Sequence, residues 1–276
     1  MIKVQSIGPN ESLSLDPREP GFAYGMAIFE SIKVAQGRVY FWSRHWRRFC
    51  NSIAKYFSYH CSESDEHSIL SALAPLAVDY GPDDFILKLS FMMRAEGPCV
   101  FLYGRPLFPR PSLVSLCIQT DHPIDEASVL RGEKTHNYFE NIWLQRSAQA
   151  TGYTDYLRVN RAGQVCETTT ANCFFMRDGK VVTAAATSGI IPGVIRECLM
   201  EIMGFETSEL RLEALHSIEG GFLTNVAVGI LPIDRIEGFS DGGSVQFDSV
   251  MHPLVKEATD QLKIIASTEA TDLDTL

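Results

Sequence analysis

The feature that most constrains the fold of this chain is the dipeptide Asp178-Gly179, which separates two short apolar runs. The runs on either side, 173–176 and 180–183, have the length and composition of β-strands. Asp-Gly at this spacing is typical of a two-residue hairpin, because a type I′ turn needs positive φ at both central residues. Gln36-Gly37 gives a similar turn signal near the N-terminus. Antiparallel sheet is therefore expected in both halves of the chain.

Helical periodicity alternates with these strand-like runs. In the segment that begins near Ser43, apolar residues recur at steps of three and four, which is the spacing of one buried helix face; they are Trp46, Phe49 or Cys50, Ile53 and Phe57. Segments 64–78, 194–203 and 251–263 are also interpreted as helices, and Gly204 is a natural stop for the second of these three. The mixture of hairpins and a few helices predicts an α+β fold.

The chain is expected to fold as two lobes. Its 276 residues suit one large domain or two of ordinary size. The polar stretch 120–126 has the composition of a linker. We therefore expect a small N-terminal lobe, 1–120, and a larger C-terminal lobe, 121–276. The last residues, 266–276, are polar and acidic, and we expect them to be disordered.

Charge and cysteine content narrow the function. The chain has 24 Lys and Arg against 34 Asp and Glu, a net charge of -10, which argues against nucleic acid as a partner because phosphates need a basic face. No apolar run approaches the ~18 residues of a membrane span, and no signal peptide is recognised. The seven cysteines lack CxxC pairs and zinc-ligand spacing, which favours free thiols and no metal site. We expect a cytoplasmic protein that acts on a small molecule.

Four segments, in order along the chain, carry the residues of interest. They are KTHNY at 134–138, GQVCETTTAN at 163–172, GIIPGVIR at 189–196 and TNVAVGILPI at 224–233. With YGMAIFE at 24–30, they resemble the class IV aminotransferases, the fold-type IV enzymes that use pyridoxal 5′-phosphate. The resemblance covers nearly the whole chain. It implies a small N-terminal α/β lobe, a larger C-terminal lobe with a barrel-like sheet, a cofactor in the cleft and a homodimer.

The resemblance also implies catalytic roles for three residues. Lys134 would form the Schiff base with the cofactor and move the proton, because this chemistry needs an amine. Tyr138 would lie near the phenolic oxygen of the cofactor. Glu167 would keep the pyridine nitrogen protonated, so that the ring accepts electrons.

The phosphate end of the cofactor is assigned by the same resemblance. A helix N-terminus suits a phosphate dianion, and the backbone N–H groups of Val194 and Ile195 would be its donors. Arg48 matches the arginine that clamps the phosphate in this family. Val226 would also contact it. The family often has a threonine at the position of Ile195 and a serine or threonine at that of Val226, so weaker cofactor anchoring is expected here.

Three functions remain open. Thr224-Asn225 and the four-residue step from Lys134 to Tyr138 favour aminodeoxychorismate lyase, which releases pyruvate and leaves 4-aminobenzoate. The alternatives are an amino-acid transaminase of branched-chain or D-amino-acid type and a catalytically inactive binding homologue. Further candidates are hydroxyls that a lyase could use and arginines that could meet a substrate carboxylate; they are Ser31, Thr170, Arg94 and Arg105.

Overall fold

The structure, a computed structural model, describes residues 1–81, 83–107, 109 and 111–275. The strands are β1 (Lys3–Ile7), β2 (Ala27–Ala35), β3 (Arg38–Tyr40), β4 (Phe85–Arg94), β5 (Gly97–Pro106), β6 (Val114–Ile124), β7 (Asp155–Asn160), β8 (Val165–Thr168), β9 (Asn172–Arg177), β10 (Lys180–Thr183), β11 (Glu206–Thr207), β12 (Gly220–Asn225), β13 (Gly229–Glu237), β14 (Ser244–Gln246) and β15 (Ala270–Asp272). The α-helices are α1 (Pro20–Ala23), α2 (Trp42–Phe57), α3 (Glu63–Tyr80), α4 (Phe139–Ala150), α5 (Val194–Met203) and α6 (Pro253–Thr268). Short 3₁₀ turns span Ala186–Ser188, Leu212–Ser217 and Leu273–Thr275.

The chain divides into two compact units. The first unit comprises 1–109, 133–138 and 266–276, and the second comprises 110–132 and 139–265. This division differs from the expected split at residue 120, which falls inside β6. The pairing of β6 with β7 shifts register between Gln119 and Ile124, and the residues in between are largely exposed. Their polarity therefore reflects an exposed irregular strand, where the sequence had indicated a linker.

The first unit is built on a six-stranded sheet with the order β1-β5-β4-β2-β3-β15. Its pairs are antiparallel except β1 with β5. Side chains from α2 and α3 pack with one face of this sheet, because alternate residues of β2, β4 and β5 are apolar on that side. On the other face, Ser31, Lys88 and Tyr103 lie opposite one another on β2, β4 and β5. A polar row thus crosses the centre of the sheet.

The predicted disorder of 266–276 also differs from the structure, which describes all of this stretch except residue 276. β15 pairs with β3, and Leu273 is buried in the core of the first unit. Arg44 forms a double hydrogen bond with Glu269, and Arg38 binds Asp272. Two of the three acidic residues in this stretch, Glu269 and Asp272, thus have basic partners far away in the sequence.

The second unit contains the barrel that the sequence predicted. Strands β9, β12, β13, β6, β7 and β8 pair in that order, and β8 pairs back to β9, which closes a six-stranded barrel. Its core is lined by apolar side chains such as Leu116, Leu157 and Phe175. The Asp178-Gly179 hairpin between β9 and β10 is confirmed, with φ of 51° and 70° at its two central residues. In the described ranges, no helix is long and apolar enough to cross a membrane.

Candidate active site

The backbone of Lys134 is fixed by β2. The segment 133–138 runs antiparallel to the start of that strand, with an isolated bridge between Ile28 and Thr135. The Phe29 N–H donates to the carbonyl of Lys134 at 2.8 Å, and the His136 N–H donates to that of Ala27 at 2.9 Å. These bonds join residues more than 100 positions apart and set the direction of the lysine side chain.

The amine of Lys134 lies in an aromatic setting that includes one residue the sequence analysis missed. Its Nζ is 4.8 Å from the ring centroid of Phe29 and 5.6 Å from that of Tyr138. The two rings meet edge to face, with centroids 5.4 Å apart. The structure therefore brings Lys134 and Tyr138 together around Phe29, and their roles toward a cofactor stay predictions. The available signal was the motif YGMAIFE, which contains Phe29.

A second lysine, Lys88, shares this setting and was also missed. Its Nζ donates to the Ser31 hydroxyl at 2.8 Å and lies 4.1 Å from the centroid of Phe29. Burial, together with the charges of Lys134 and Arg105, lowers the pKa of Lys88 to about 7. The signal in the sequence was Lys88 itself, a single cation inside the largely apolar run 85–93 of β4.

Arg48 binds a buried carboxylate on the helix side of the same sheet. Its guanidinium donates two hydrogen bonds of 2.7 Å to Glu30, and His45 Nδ1 lies 2.9 Å from the same carboxylate. Glu30 is only 1% exposed. Burial by itself raises the pKa of Glu30, but Arg48 and His45 outweigh it and hold that pKa well below its usual range. The role of Arg48 toward a phosphate stays a prediction.

The two candidate substrate arginines have different surroundings. Arg94, at the end of β4, donates to Glu19 at 2.6 Å and lines an open cavity of about 700 Å³ whose lining does not include Lys134. Arg105 is exposed on β5, where its charge acts on Lys88. Arg105 is therefore better placed than Arg94 to influence Lys88.

In the second unit, Glu167 is held by a neighbour across the barrel strands. Asn172, opposite Glu167 in the β8–β9 pairing, donates from Nδ2 to Glu167 Oε2 at 2.9 Å, and the Ile191 N–H lies 3.2 Å from both carboxylate oxygens. Asn172 also accepts from the Gly193 N–H at 3.2 Å. It thus connects the buried carboxylate, 6% exposed, to the loop before α5. Asn172 is the last residue of the motif at 163–172, but the sequence alone gave no role for it.

The N-terminus of α5 carries free donors. No described side chain caps it, so the backbone N–H groups of its first turn, including those of the buried residues Val194 and Ile195, have no partner within the helix. A buried helix end without partners is unusual, and it fits an anion such as a phosphate. A Cβ on Gly193 would collide with Asn172 Oδ1, so this approach needs glycine.

Thr224 is a further candidate that the sequence analysis left out of the site. It lies opposite Asn172 in the β9–β12 pairing, is 1% exposed, and its hydroxyl has no hydrogen-bond partner among the described residues. A buried hydroxyl without a partner is costly in free energy, which favours a ligand that completes it. Two of the predicted site residues lie near Thr224. The carbonyl of Thr170 accepts from the side chain of the next residue, Asn225, at 3.2 Å, and Val226 follows half-buried in the turn.

These residues fit the cofactor of the family that the motifs resemble. A buried carboxylate suits a protonated ring nitrogen, and the α5 terminus with Thr224 suits a phosphate. By contrast, no group of three His, Cys, Asp or Glu side chains could hold a metal ion in the described ranges. All seven cysteines are free thiols.

The fold and these residues define the class of protein, and comparison with known families agrees. The profile of the family described as Amino-transferase class IV matches residues 27–236. The chain therefore belongs to the class IV aminotransferase family, and the prediction made from its motifs is confirmed.

Individual relatives point to two activities. A "Probable branched-chain-amino-acid aminotransferase" of Synechocystis sp. is 30% identical over 124 residues, and the match spans 43% of this chain and only 41% of that relative. The "Aminodeoxychorismate lyase" of Bacillus subtilis is 24% identical over 250 residues, 83% of each protein. A solved structure from Legionella pneumophila, titled "Putative 4-amino-4-deoxychorismate lyase", has a TM-score of 0.83 at 22% identity and covers 96% of this chain and 100% of its own. At this identity the likeness confirms the two-lobed fold-type IV architecture alone.

Proposed function

We propose that this protein is a pyridoxal-phosphate-dependent 4-amino-4-deoxychorismate lyase. The observation that carries the proposal is the placement of Lys134, whose backbone is bonded to β2 and whose Nζ lies against the rings of Phe29 and Tyr138. A lysine fixed by long-range pairing in an aromatic setting is suited to covalent chemistry on an amine substrate.

When bound, the cofactor carries the substrate amine and withdraws electrons from the carbon attached to it. Lys134 takes the proton from that carbon. Glu167, oriented by Asn172, holds a proton at the ring nitrogen. The backbone N–H groups of Val194 and Ile195, with the hydroxyl of Thr224, would bind the phosphate, and Arg48 would supply positive charge for it.

The choice of the lyase depends on a hydroxyl. Ser31 is held by Lys88 at 2.8 Å on the sheet face that also carries Phe29. An elimination needs a proton donor for its leaving group in addition to the base, and a transamination does not. This is the feature that favours the lyase over its alternatives.

A second candidate is an amino-acid transaminase. The 30% identity to a branched-chain aminotransferase favours it, although that match spans less than half of either protein. An inactive binding homologue is the least supported alternative, because the placement of Lys134 against Phe29 and Tyr138 suits covalent chemistry, which binding alone does not need. For the functional protein we further propose a cytoplasmic location, which cell fractionation would test, and a homodimer, which light scattering of the purified protein would test.

The cofactor is tested first. The purified protein with added pyridoxal phosphate should develop the absorption of a lysine adduct, and borohydride should fix the cofactor to the peptide that contains Lys134. Lys134→Ala should lose both signals, whereas Lys33→Ala should keep them. Absence of the adduct in the unaltered protein would refute the enzyme proposal.

The reaction is tested next. Incubation with 4-amino-4-deoxychorismate and no keto acid should release pyruvate and 4-aminobenzoate in equal amounts. If the protein instead converts the cofactor to its amine form with branched-chain or D-amino acids, and releases no pyruvate from 4-amino-4-deoxychorismate, the transaminase is correct.

A further inference from the structure

Lys88 is a second amine beside Lys134 within the first unit. The two Nζ atoms lie 4.1 Å and 4.8 Å from the centroid of the same ring, that of Phe29. Lys88, on β4, is the middle residue of the polar row, with Ser31 opposite it on β2 and Tyr103 opposite it on β5. Its hydrogen bond to the Ser31 hydroxyl is direct, at 2.8 Å.

The charges around Lys88 favour its neutral form. Burial contributes most, then Lys134 on the segment 133–138 and Arg105 on β5, while Glu30 on β2 opposes them. Glu30 is already engaged by Arg48 and His45 on the helix side of the sheet. His136, on the same segment as Lys134, has its own pKa lowered by burial and by the charge of Lys88.

A lysine in this setting both gains and loses a proton near neutral pH. An exposed lysine, with a pKa of about 10.4, stays charged there and is a poor partner in proton transfer. Acid–base groups work best when their pKa is near the pH of the reaction. Amine and hydroxyl pairs in which the amine drives the hydroxyl occur in other enzymes as Ser–Lys arrangements.

The proposed elimination needs two separate proton transfers. One removes the proton from the carbon that bears the substrate amine, and Lys134 is assigned to it. The other adds a proton to the oxygen of the leaving enolpyruvate. A second group can serve the oxygen while Lys134 serves the carbon, and Lys88 with Ser31 is the nearest described pair of amine and hydroxyl on the face of Phe29.

We propose that Lys88, acting through the hydroxyl of Ser31, supplies the proton to the oxygen of the leaving enolpyruvate. This inference rests on the proposed lyase function and adds a catalytic pair to it. It also defines the substrate class, an amine whose neighbouring carbon carries an ether-linked leaving group.

The bond between ring carbon and ether oxygen breaks, and its electron pair stays on the oxygen. The Ser31 hydroxyl gives its proton to that oxygen and receives one from the Lys88 ammonium, so that the product leaves as the enol and becomes pyruvate in solution. Lys88 is left neutral and regains a proton from water. The electron pair of the C–H bond that Lys134 has deprotonated forms the ring double bond that makes the product aromatic.

The protonation of Lys88 is measured without turnover. Cofactor-free protein is labelled with limiting acetic anhydride across a pH series, and the peptide containing Lys88 is quantified by mass spectrometry. We expect half-maximal labelling near pH 7, against about 10.4 for lysine in a model peptide. Half-maximal labelling near pH 10 would overturn the inference.

Kinetics then separate proton transfer from binding. Lys88→Met and Ser31→Ala should each lower kcat for pyruvate release about 100-fold or more with KM changed only a few-fold. The alkaline limb of kcat near pH 7 should disappear in Lys88→Arg, because arginine stays charged. Lys33→Met is the matched control, since Lys33 lies on β2 and contacts Tyr40 instead of Phe29, and it should retain the kcat of the unaltered protein.

The contrary outcomes are distinct. If Lys88→Met raises KM strongly while kcat and its pH profile stay unchanged, Lys88 binds a substrate carboxylate and the proton-transfer role is refuted although the lyase stands. If the unaltered protein releases no pyruvate at any pH, the proposed function fails and the inference fails with it. Circular dichroism of each variant confirms that the loss does not come from unfolding.

Discussion

Replacement of Glu30 by glutamine should reveal how strongly the first unit depends on one buried carboxylate. Glu30 accepts two hydrogen bonds from Arg48 and faces Nδ1 of His45, all within 2.9 Å. Glutamine keeps the shape of the side chain but has one acceptor oxygen and an amide NH₂ group. That NH₂ must point either at the guanidinium, which is itself a donor, or at His45.

The expected loss in free energy of unfolding follows from the charge of Arg48, which the substitution leaves without its carboxylate partner. Removing one partner of a buried ion pair commonly costs about 3–5 kcal/mol, because the other charge is left without compensation. The side chain of Arg48 is 17% exposed and keeps some hydration, so the lower end of this range applies, about 3 kcal/mol. The matched control is Glu269→Gln. Glu269 makes the same double hydrogen bond to Arg44 on the same helix, but its side chain is 27% exposed, and we expect about 1 kcal/mol or less.

The dependence on pH has a definite sign. The pKa of Glu30 is depressed in the folded protein, below its ordinary value of 4.5, so its stabilisation is present above pH 4.5 and is lost as the pH falls further. The difference in free energy of unfolding between the unaltered protein and Glu30→Gln should therefore be constant around neutral pH and should shrink in acid.

Urea denaturation followed by circular dichroism, at neutral pH and at several acidic values, measures this difference. Similar losses for Glu30→Gln and Glu269→Gln would contradict the account, and so would a difference that does not change with pH. In either case the buried carboxylate would contribute no more than a surface ion pair.

Three further changes test the second unit. Thr224→Val should weaken binding of pyridoxal phosphate about tenfold in a fluorescence titration. The cofactor-free protein should stay as stable as before, because the hydroxyl has no partner among the described residues to lose. Lower stability without cofactor would contradict this prediction. Gly193→Ala should also weaken cofactor binding in the same titration, because its Cβ would displace Asn172; unchanged affinity would show that Asn172 is not needed. Phe222→Ala, which removes a fully buried ring stacked on Phe174 at 4.9 Å, should lower the free energy of unfolding by about 3–5 kcal/mol in urea; a loss below about 1 kcal/mol would contradict tight packing there.

Local features of the fold could be predicted from the sequence because they are encoded by neighbouring residues. The hairpin at Asp178-Gly179 and the helix face of α2 follow from turn chemistry and from a short periodicity. The barrel followed from a resemblance and not from periodicity.

Pairings between distant residues could not be predicted. Nothing in the polar sequence near Glu269 announces Arg44 as a partner, and nothing near Lys134 announces its pairing with β2. Lys88 could not be recognised from the sequence, because its charged neighbours lie on other segments: Lys134 on 133–138, Arg105 on β5 and Glu30 on β2. The motifs predict the chemistry of Lys134 and Glu167, whereas the residues that support them depend on tertiary contacts that no motif encodes.

The order of segments in the first unit constrains how the chain can fold during synthesis. β3 has β15 as its neighbour at the sheet edge, and residues 139–265, the bulk of the second unit, are synthesised between them. A ribosome therefore releases the barrel strands before the sheet of the first unit can be completed, and β3 presents an unpaired edge to the cell during that interval. The segment that carries Lys134 is synthesised before β15, so it can pair with β2 while the edge of β3 is still unpaired.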